Sequence, residues 1–304
     1  MRLKLALALL ALAALGAASA RSQAQDKPSV SAVAGAAADS GFGPLDPAPP
    51  AGDPADIIKK IAARESDFDS ARRDYGFRQS VKVQTLDDDN RPDGEYRQTT
   101  DISFTADGHR QESVTFAPAN TLTRVLLSQQ DMTDIERRLP FVLTTADLPD
   151  YDIRYLGRQK VDELDTYVFQ SSPIQIVKGK RYFQGKLWVD QQDLQIVLID
   201  GRLVPDDLRR GKEDLSLPFA TYYEQVDGDY WFPTYTKCEG ILNFPAQNGS
   251  LGQSVHMREV ITYSNYKRFR SKSRIFFNGQ QIPQQPANGQ PPQPTTEPPP
   301  VEPR

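Results

Sequence analysis

The chain predicts an α+β fold that is mainly β: a strongly curved antiparallel sheet, an incomplete barrel of about ten strands, with helices covering its concave face. Three observations carry this. Residues 182–201 read as strand, polar loop and strand, and over 182–189 Phe183, Gly185, Leu187 and Val189 alternate with Tyr182, Gln184, Lys186 and Trp188. A period of two is what a pleated strand produces. From residue 151 onward, strand patterns follow one another with no helical crossover between them, so the connections are hairpins and the sheet antiparallel. The helical patterns come early, and a sheet of this length must curl, split or close.

The elements follow in order. Asp53 is placed to cap a helix, and Pro54 suits its first position. Ile57, Ile58, Ile61, Ala62, Glu65 and Phe68 then give it one apolar face. Strands are predicted over 75–86, 95–105 and 109–116, joined by the acidic turn at 87–94 and by Ala106-Asp107-Gly108. A short strand near 123–127 leads to a second helix, capped by Ser128 and Asp131, carrying Met132, Ile135 and Leu139, and ended by Pro140. Further strands are predicted at 151–158, 166–172, 176–190, 194–200, 217–226, 229–237 and 254–268. With residues 190–193 as a loop, Val189 faces Leu194, Leu187 faces Ile196, and Gly185 faces Leu198. A two-residue turn at Asp227-Gly228 pairs Tyr223 with Phe232 and Gln225 with Tyr230.

Four segments organise the chain. Residues 1–20 read as a signal peptide: Arg2 and Lys4, an apolar run from Leu5 to Leu15, and Ala18-Ser19-Ala20 before the cleavage point. Residues 21–52, rich in Ala, Gly, Ser and Pro, read as a flexible linker. The folded domain spans 53–275, and 276–304 is a disordered Pro/Gln-rich tail with nine prolines between Pro283 and Pro303. No other segment reaches the roughly 20 apolar residues of a membrane span, so no integral membrane segment is expected after signal removal. Net charge is −4, or −6 without Arg2 and Lys4, which argues against a nucleic-acid partner. The lone Cys238 excludes an intramolecular disulfide framework.

Catalytic patterns are scarce. His109 and His256 fall on different predicted strands, and no metal-binding spacing, nucleophile elbow or phosphate-binding loop is present. The acidic run at 87–94 matches a calcium loop only in part, because Arg91 occupies a ligand position. No enzyme, cofactor or metal is expected.

The succession Gly157, Val161-Asp162, Tyr167-Val168-Phe169, Pro173, Phe183-x-Gly185-x-Leu187-Trp188-Val189-Asp190 and Tyr230-Trp231-Phe232-Pro233 resembles the LolA-like outer-membrane lipoprotein-sorting proteins, a bacterial periplasmic superfamily that includes the LolA and LolB carriers. The resemblance covers roughly 53–268. It implies a half-barrel whose cavity takes acyl chains of lipids or lipoproteins, under a helical lid. The candidate cavity lining is Phe183, Leu187, Val189, Leu194, Ile196 and Leu198, and the candidate lid is Ile57, Ile58, Ile61, Met132 and Ile135. The same residues also suit a filled core. The alternative function is a non-catalytic envelope interaction or sensor module with a packed sheet and a Pro-rich docking tail, binding a protein partner.

Overall fold

The fold comes from a computed structural model, which describes residues 42–105, 107–127, 131, 135, 141–205, 217–244, 252–269, 276–277 and 280–281. Helix α1 (Pro54–Ala71) begins where its cap predicts, with the Ala55 N–H donating to Asp53 Oδ1 at 2.9 Å. Ten strands follow: β1 (Tyr75–Leu86), β2 (Pro92–Phe104), β3 (Arg110–Phe116), β4 (Tyr151–Val161), β5 (Leu164–Pro173), β6 (Tyr182–Asp190), β7 (Ile196–Val204), β8 (Phe219–Val226), β9 (Tyr230–Phe244) and β10 (Gln253–Arg268). They form one sheet in the order β3-β2-β1-β10-β9-β8-β7-β6-β5-β4, antiparallel throughout. The sheet does not close into a barrel, since β3 and β4 are its margins.

Two meanders make this sheet, β1 to β3 and β4 to β10. The long-range pairing of β1 with β10 joins them and sets Val81 opposite Ile261 and Val83 opposite Glu259. That register aligns two mainly apolar alternations, with Glu259 buried between Met257 and Ile261, on one face, called the inner face here, against which α1 packs through Ile57 and Ile61. The other face is polar over β1, β2, β9 and β10. There Arg78 grips Asp101 with two bonds of 2.7 and 2.8 Å, and Arg258 grips Glu239 with two of 2.9 and 3.1 Å. One packed and one wetted face is the usual economy of an antiparallel sheet.

The β6–β7 hairpin departs from the predicted register. Its turn is longer, because Asp190 organises it: Oδ2 accepts from the N–H groups of Gln192 and Asp193 at 2.9 and 2.7 Å, and Leu194 adopts a left-handed φ of 54°. Val189 therefore meets Ile196, not Leu194. A register shift next to this pair then sets Leu187 against Ile199 and Trp188 against Leu198. A one-residue offset flips side chains between faces, so Leu198 leaves the stripe predicted for it. Gly185 faces Gly201, and a Cβ on Gly185 would lie 2.3 Å from the Asp200 carbonyl.

Other boundaries also move. Residues 174–181 form a loop, so β6 starts at Tyr182 rather than at 176. The β8–β9 turn takes three residues, with positive φ at Asp227 and Gly228, which places Tyr223 opposite Pro233 and Gln225 opposite Trp231. Residues 123–127 are irregular rather than a strand. Positions 131 and 135 are helical, while Met132 and Leu139 lie outside the described residues. Residues 42–50, within the predicted linker, run along β4 and exchange backbone hydrogen bonds between Asp46 and Arg158 at 2.8 and 2.7 Å. Within the predicted tail, β11 (Phe276–Phe277) pairs with β12 (Gln280–Gln281).

Candidate functional site

The inner face gathers most of the predicted lining. Phe183, Leu187, Val189 and Ile196 are all buried in one apolar cluster. Leu194 packs at its rim and is only partly buried. Leu198 lies on the other side of the sheet, with Val161, Val168, Trp188 and Val197. Of the predicted lid, Ile57, Ile61 and Ile135 are buried in the inner cluster and Ile58 packs against it.

Sequence reading missed half of this surface. Val81 and Val83 on β1, Tyr96 on β2, and Met257, Ile261 and Tyr263 on β10 complete the same cluster. Each sits in a visible alternation, but only the β1–β10 pairing brings Val81, Val83 and Tyr96 into the sheet that holds β6 and β7. Phe183 reaches across the Gly185–Gly201 pair, where its ring would come within 2.8 Å of a Cβ on either glycine. It stacks on Phe141 with ring centres 4.8 Å apart. Phe141 in turn receives a long hydrogen bond of 3.4 Å from the Tyr223 hydroxyl.

One turn after Ile61, α1 presents Glu65 to this apolar surface. Its side chain is buried, and Oε1 accepts the Ile196 N–H at 3.1 Å. Burial raises its pKa from the ordinary 4.5 to about 8, against the opposing pull of the Ile196 N–H, Arg72 and Arg64. At neutral pH Glu65 is therefore mostly a neutral acid. Burial also lifts Tyr223 well above its ordinary value, with Glu65 adding to the effect.

Polar ties hold α1 at the rim. Arg64 reaches the carbonyls of Asp193 and Asp229 at 3.4 and 3.5 Å, touching the β6–β7 and β8–β9 turns together. Ser66 Oγ donates to the Ala62 carbonyl at 2.7 Å and accepts the Thr145 N–H at 3.0 Å. Gln195 binds the two turns to each other through the Asp229 carbonyl at 3.1 Å and the Trp231 N–H at 3.3 Å. The helix thus lies on a mainly apolar floor that also holds the buried Glu259, secured mainly at its edge, with its own buried carboxyl, Glu65, aimed at the floor.

The remaining chemistry is dispersed. His109 is exposed beside Asp107, and His256 contacts Glu239, which Arg258 holds at a pKa of about 2. Cys238 is reduced and buried in the inner cluster. No group of three His, Cys, Asp or Glu side chains among the described residues is arranged to hold a metal ion. No described helix is long and apolar enough to cross a membrane. Two surface grooves stand out among the described residues. One, about 660 Å³, runs between β1, β2, β3 and the end of β10; the other, about 540 Å³, is lined by Gln170, Gln184, Arg202, Val204 and Pro205. Neither is lined by a predicted cavity or lid residue.

No family model and no curated protein matches the chain. Among solved structures it is similar to a DUF1329 family protein from Desulfovibrio piger, at 17% identity and a TM-score of 0.36, over 73% of this chain and 96% of that one. It is also similar to an outer membrane lipoprotein-sorting protein domain from Vibrio parahaemolyticus, at 11% identity and a TM-score of 0.32, over 70% of this chain and 94% of that one. A third similar structure is MucB in complex with MucA(peri), at 12% identity and a TM-score of 0.21, over 66% of this chain and 92% of that one.

Proposed function

We propose that this is an exported periplasmic protein that binds acyl chains of a lipid or lipoprotein between α1 and the inner face, and carries them toward the outer membrane without catalysing a reaction. One observation supports this above the rest. The inner face is mainly apolar, from Val81 and Val83 through Ile261 and Met257 to Ile196, Leu187 and Phe183, with the buried Glu259 and the Thr221–Thr236 hydroxyl pair set into it, and its helical cover is tied chiefly at the rim by Arg64 and Ser66. A cover held this way can lift without breaking a sheet hydrogen bond. Burying an acyl chain of about 16 carbons there, at about 0.8 kcal/mol per methylene, offers on the order of 12 kcal/mol gross. Ordering and association costs remove a large part of it, which suits a carrier that must release its load. The motif resemblance agrees, and the dispersed histidines and the carboxylates engaged in ion pairs favour a non-catalytic role.

The test is mass spectrometry of lipid extracted from natively purified protein, with uptake of a fluorescent fatty acid as a second readout. Stoichiometric lipid, or saturable uptake competed by unlabelled fatty acid, supports the reading. Protein that carries no lipid and takes up none overturns it.

A second reading, a protein-interaction or sensor module, draws on the β3 margin. Val114 and Phe116 are exposed there on an edge strand, and an unpaired edge can accept a strand from a partner. A pull-down from envelope extract that fails when residues 278–304 are deleted, or when Val114 is replaced by proline, would favour it over the carrier.

A further inference from the structure

The end of the sheet where β5 turns into β6 carries a feature that acyl-chain binding does not use. Residues 174–181 read Ile-Gln-Ile-Val-Lys-Gly-Lys-Arg. Ile174, Ile176 and Val177 are 65%, 46% and 51% exposed, three large aliphatic side chains within four positions. Isolated exposed apolar residues need no explanation, but a cluster at a loop tip does. The loop does not fold back over them. Its base is pinned by the Ile174 N–H donating to the Asp150 carbonyl at 2.8 Å, and its turn by the Lys180 N–H donating to the Val177 carbonyl at 3.1 Å. Lys180 is further held by an ion pair with Asp150 and lies 4.9 Å from the centre of the Tyr182 ring. The aliphatic tip is therefore displayed by a braced base.

Its surroundings are cationic in sequence and largely neutralised where they are acidic. Lys178, Lys180 and Arg181 follow the aliphatic residues directly. Asp150 is paired by Lys180, and Asp152 on β4 is paired by Arg154 at 2.9 Å. The groove of about 540 Å³ lies at the same end of β5, β6 and β7, with Gln184 and the cationic Arg202 in its lining, while the Gln170 amide in it donates to the Gly185 carbonyl at 3.0 Å.

We propose that the 174–181 loop, with the groove beside it, is a docking surface for an anionic phospholipid bilayer. The aliphatic tip enters the headgroup boundary while Lys178 and Arg202 face lipid phosphates, which is the division of labour of interfacial anchors. A protein partner fits less well. Protein hot spots favour aromatic and arginine anchors seated in pockets, whereas this tip is a projecting aliphatic loop with no ring among its exposed residues. The inference stands apart from cargo binding, because an empty protein would dock as well.

The test is co-sedimentation of the full exported chain with vesicles of phosphatidylcholine mixed with phosphatidylglycerol, and with vesicles of phosphatidylcholine alone. Binding to the mixed vesicles, weakened by salt, is expected. The triple variant Ile174→Ser, Ile176→Ser, Val177→Ser should bind at least tenfold less, with its thermal unfolding midpoint unchanged because the positions are exposed. Ile176→Trp should show a blue shift of emission on vesicles and none with soluble glycerophosphate. Failure of the natural chain to bind the mixed vesicles overturns the proposal. Equal binding by the triple variant, or an emission unchanged on vesicles, also overturns it by removing the loop from the contact.

Discussion

The sheet is covered twice, and the two covers are built on different physics. On the inner face, α1 contributes Ile57, Ile61 and Glu65, so its hold is apolar contact around one buried acid. At the β4 margin, residues 42–50 form a strap held by backbone hydrogen bonds, by the Arg158–Asp46 pair at 3.1 Å, and by Phe42 resting on Trp188 with ring centres 5.9 Å apart. Backbone pairing fixes a segment residue by residue, whereas apolar contact is non-directional and lets a cover slide or lift. The helix is the cover suited to opening, and the strap is the cover suited to closing an edge.

The comparison is tested most strongly by two leucines of equal burial on opposite faces. Leu187 lies under α1, and Leu198 lies with Trp188 on the strap side. Leu187→Ala and Leu198→Ala should each cost about 3–4 kcal/mol in chemical denaturation. Only Leu187→Ala should change fatty-acid uptake. If both variants alter uptake alike, the two covers do not divide function between them.

Glu65 distinguishes the covers by pH. The unfolded chain releases this proton near pH 4.5, whereas the folded chain keeps it to about pH 8. The unfolded state therefore binds fewer protons across that window, and stability falls as pH rises through it. At about 1.4 kcal/mol per unit of displacement, the loss is on the order of 3 kcal/mol or more by the upper end. Glu65→Gln keeps the acceptor for the Ile196 N–H and removes the ionisation. It should match the natural chain near pH 5 and exceed it by on the order of 3 kcal/mol near pH 9, measured by denaturant titration. A difference that does not grow with pH would place the acid outside the apolar cover. The strap, held by amide hydrogen bonds, should show no such trend.

What was legible in the sequence follows the same division. Local alternation revealed β6, β7 and the apolar face of α1, because the period of a strand or helix is written in neighbouring residues. It also placed Phe183, Leu187, Val189 and Ile196 on one face. Leu198 went astray because a register shift leaves no trace in alternation. The β1–β10 pairing was hidden because it joins residues about 180 positions apart, and no turn chemistry announces it. The strap was read as linker because its composition, rich in Pro and Gly, says nothing about the edge waiting for it. Gly157 was the available signal. It has a φ of 153°, and a Cβ there would stand 2.3 Å from the Asp46 carbonyl, so the glycine makes the notch that admits the strap.

That notch gives a smaller, sharper test. Gly157→Val should expel the strap and cost about 2 kcal/mol, since several backbone hydrogen bonds are worth about 1 kcal/mol each. Trp188 would lose its Phe42 contact and become accessible to a soluble quencher. Fatty-acid uptake should change little, because the Phe42–Trp188 contact lies in the cluster on the other face and the strap meets the inner cluster through the Tyr155 hydroxyl, which donates to the Ala48 carbonyl at 2.9 Å at the β4 margin. Loss of uptake here would mean that the strap controls the site.

The smallest expected effect concerns the β3 margin, where no strap is seen among the described residues. Phe116 on β3 is 50% exposed and Val114 is 55% exposed; Val114 pairs with Thr100 on the side that α1 covers elsewhere, and a register shift sets Phe116 against Thr99 on the other side. Phe116→Ser should change the stability of an isolated chain by less than about 0.5 kcal/mol, because little is buried there. The outcome matters for what it would reveal. A loss of about 1.5 kcal/mol or more that grows with protein concentration would show that β3 is covered in solution by a second copy of the chain, an effect governed by mass action. The two margins would then be closed alike, one in cis by the strap and one in trans, and the contrast between them would lie only in where the covering strand comes from.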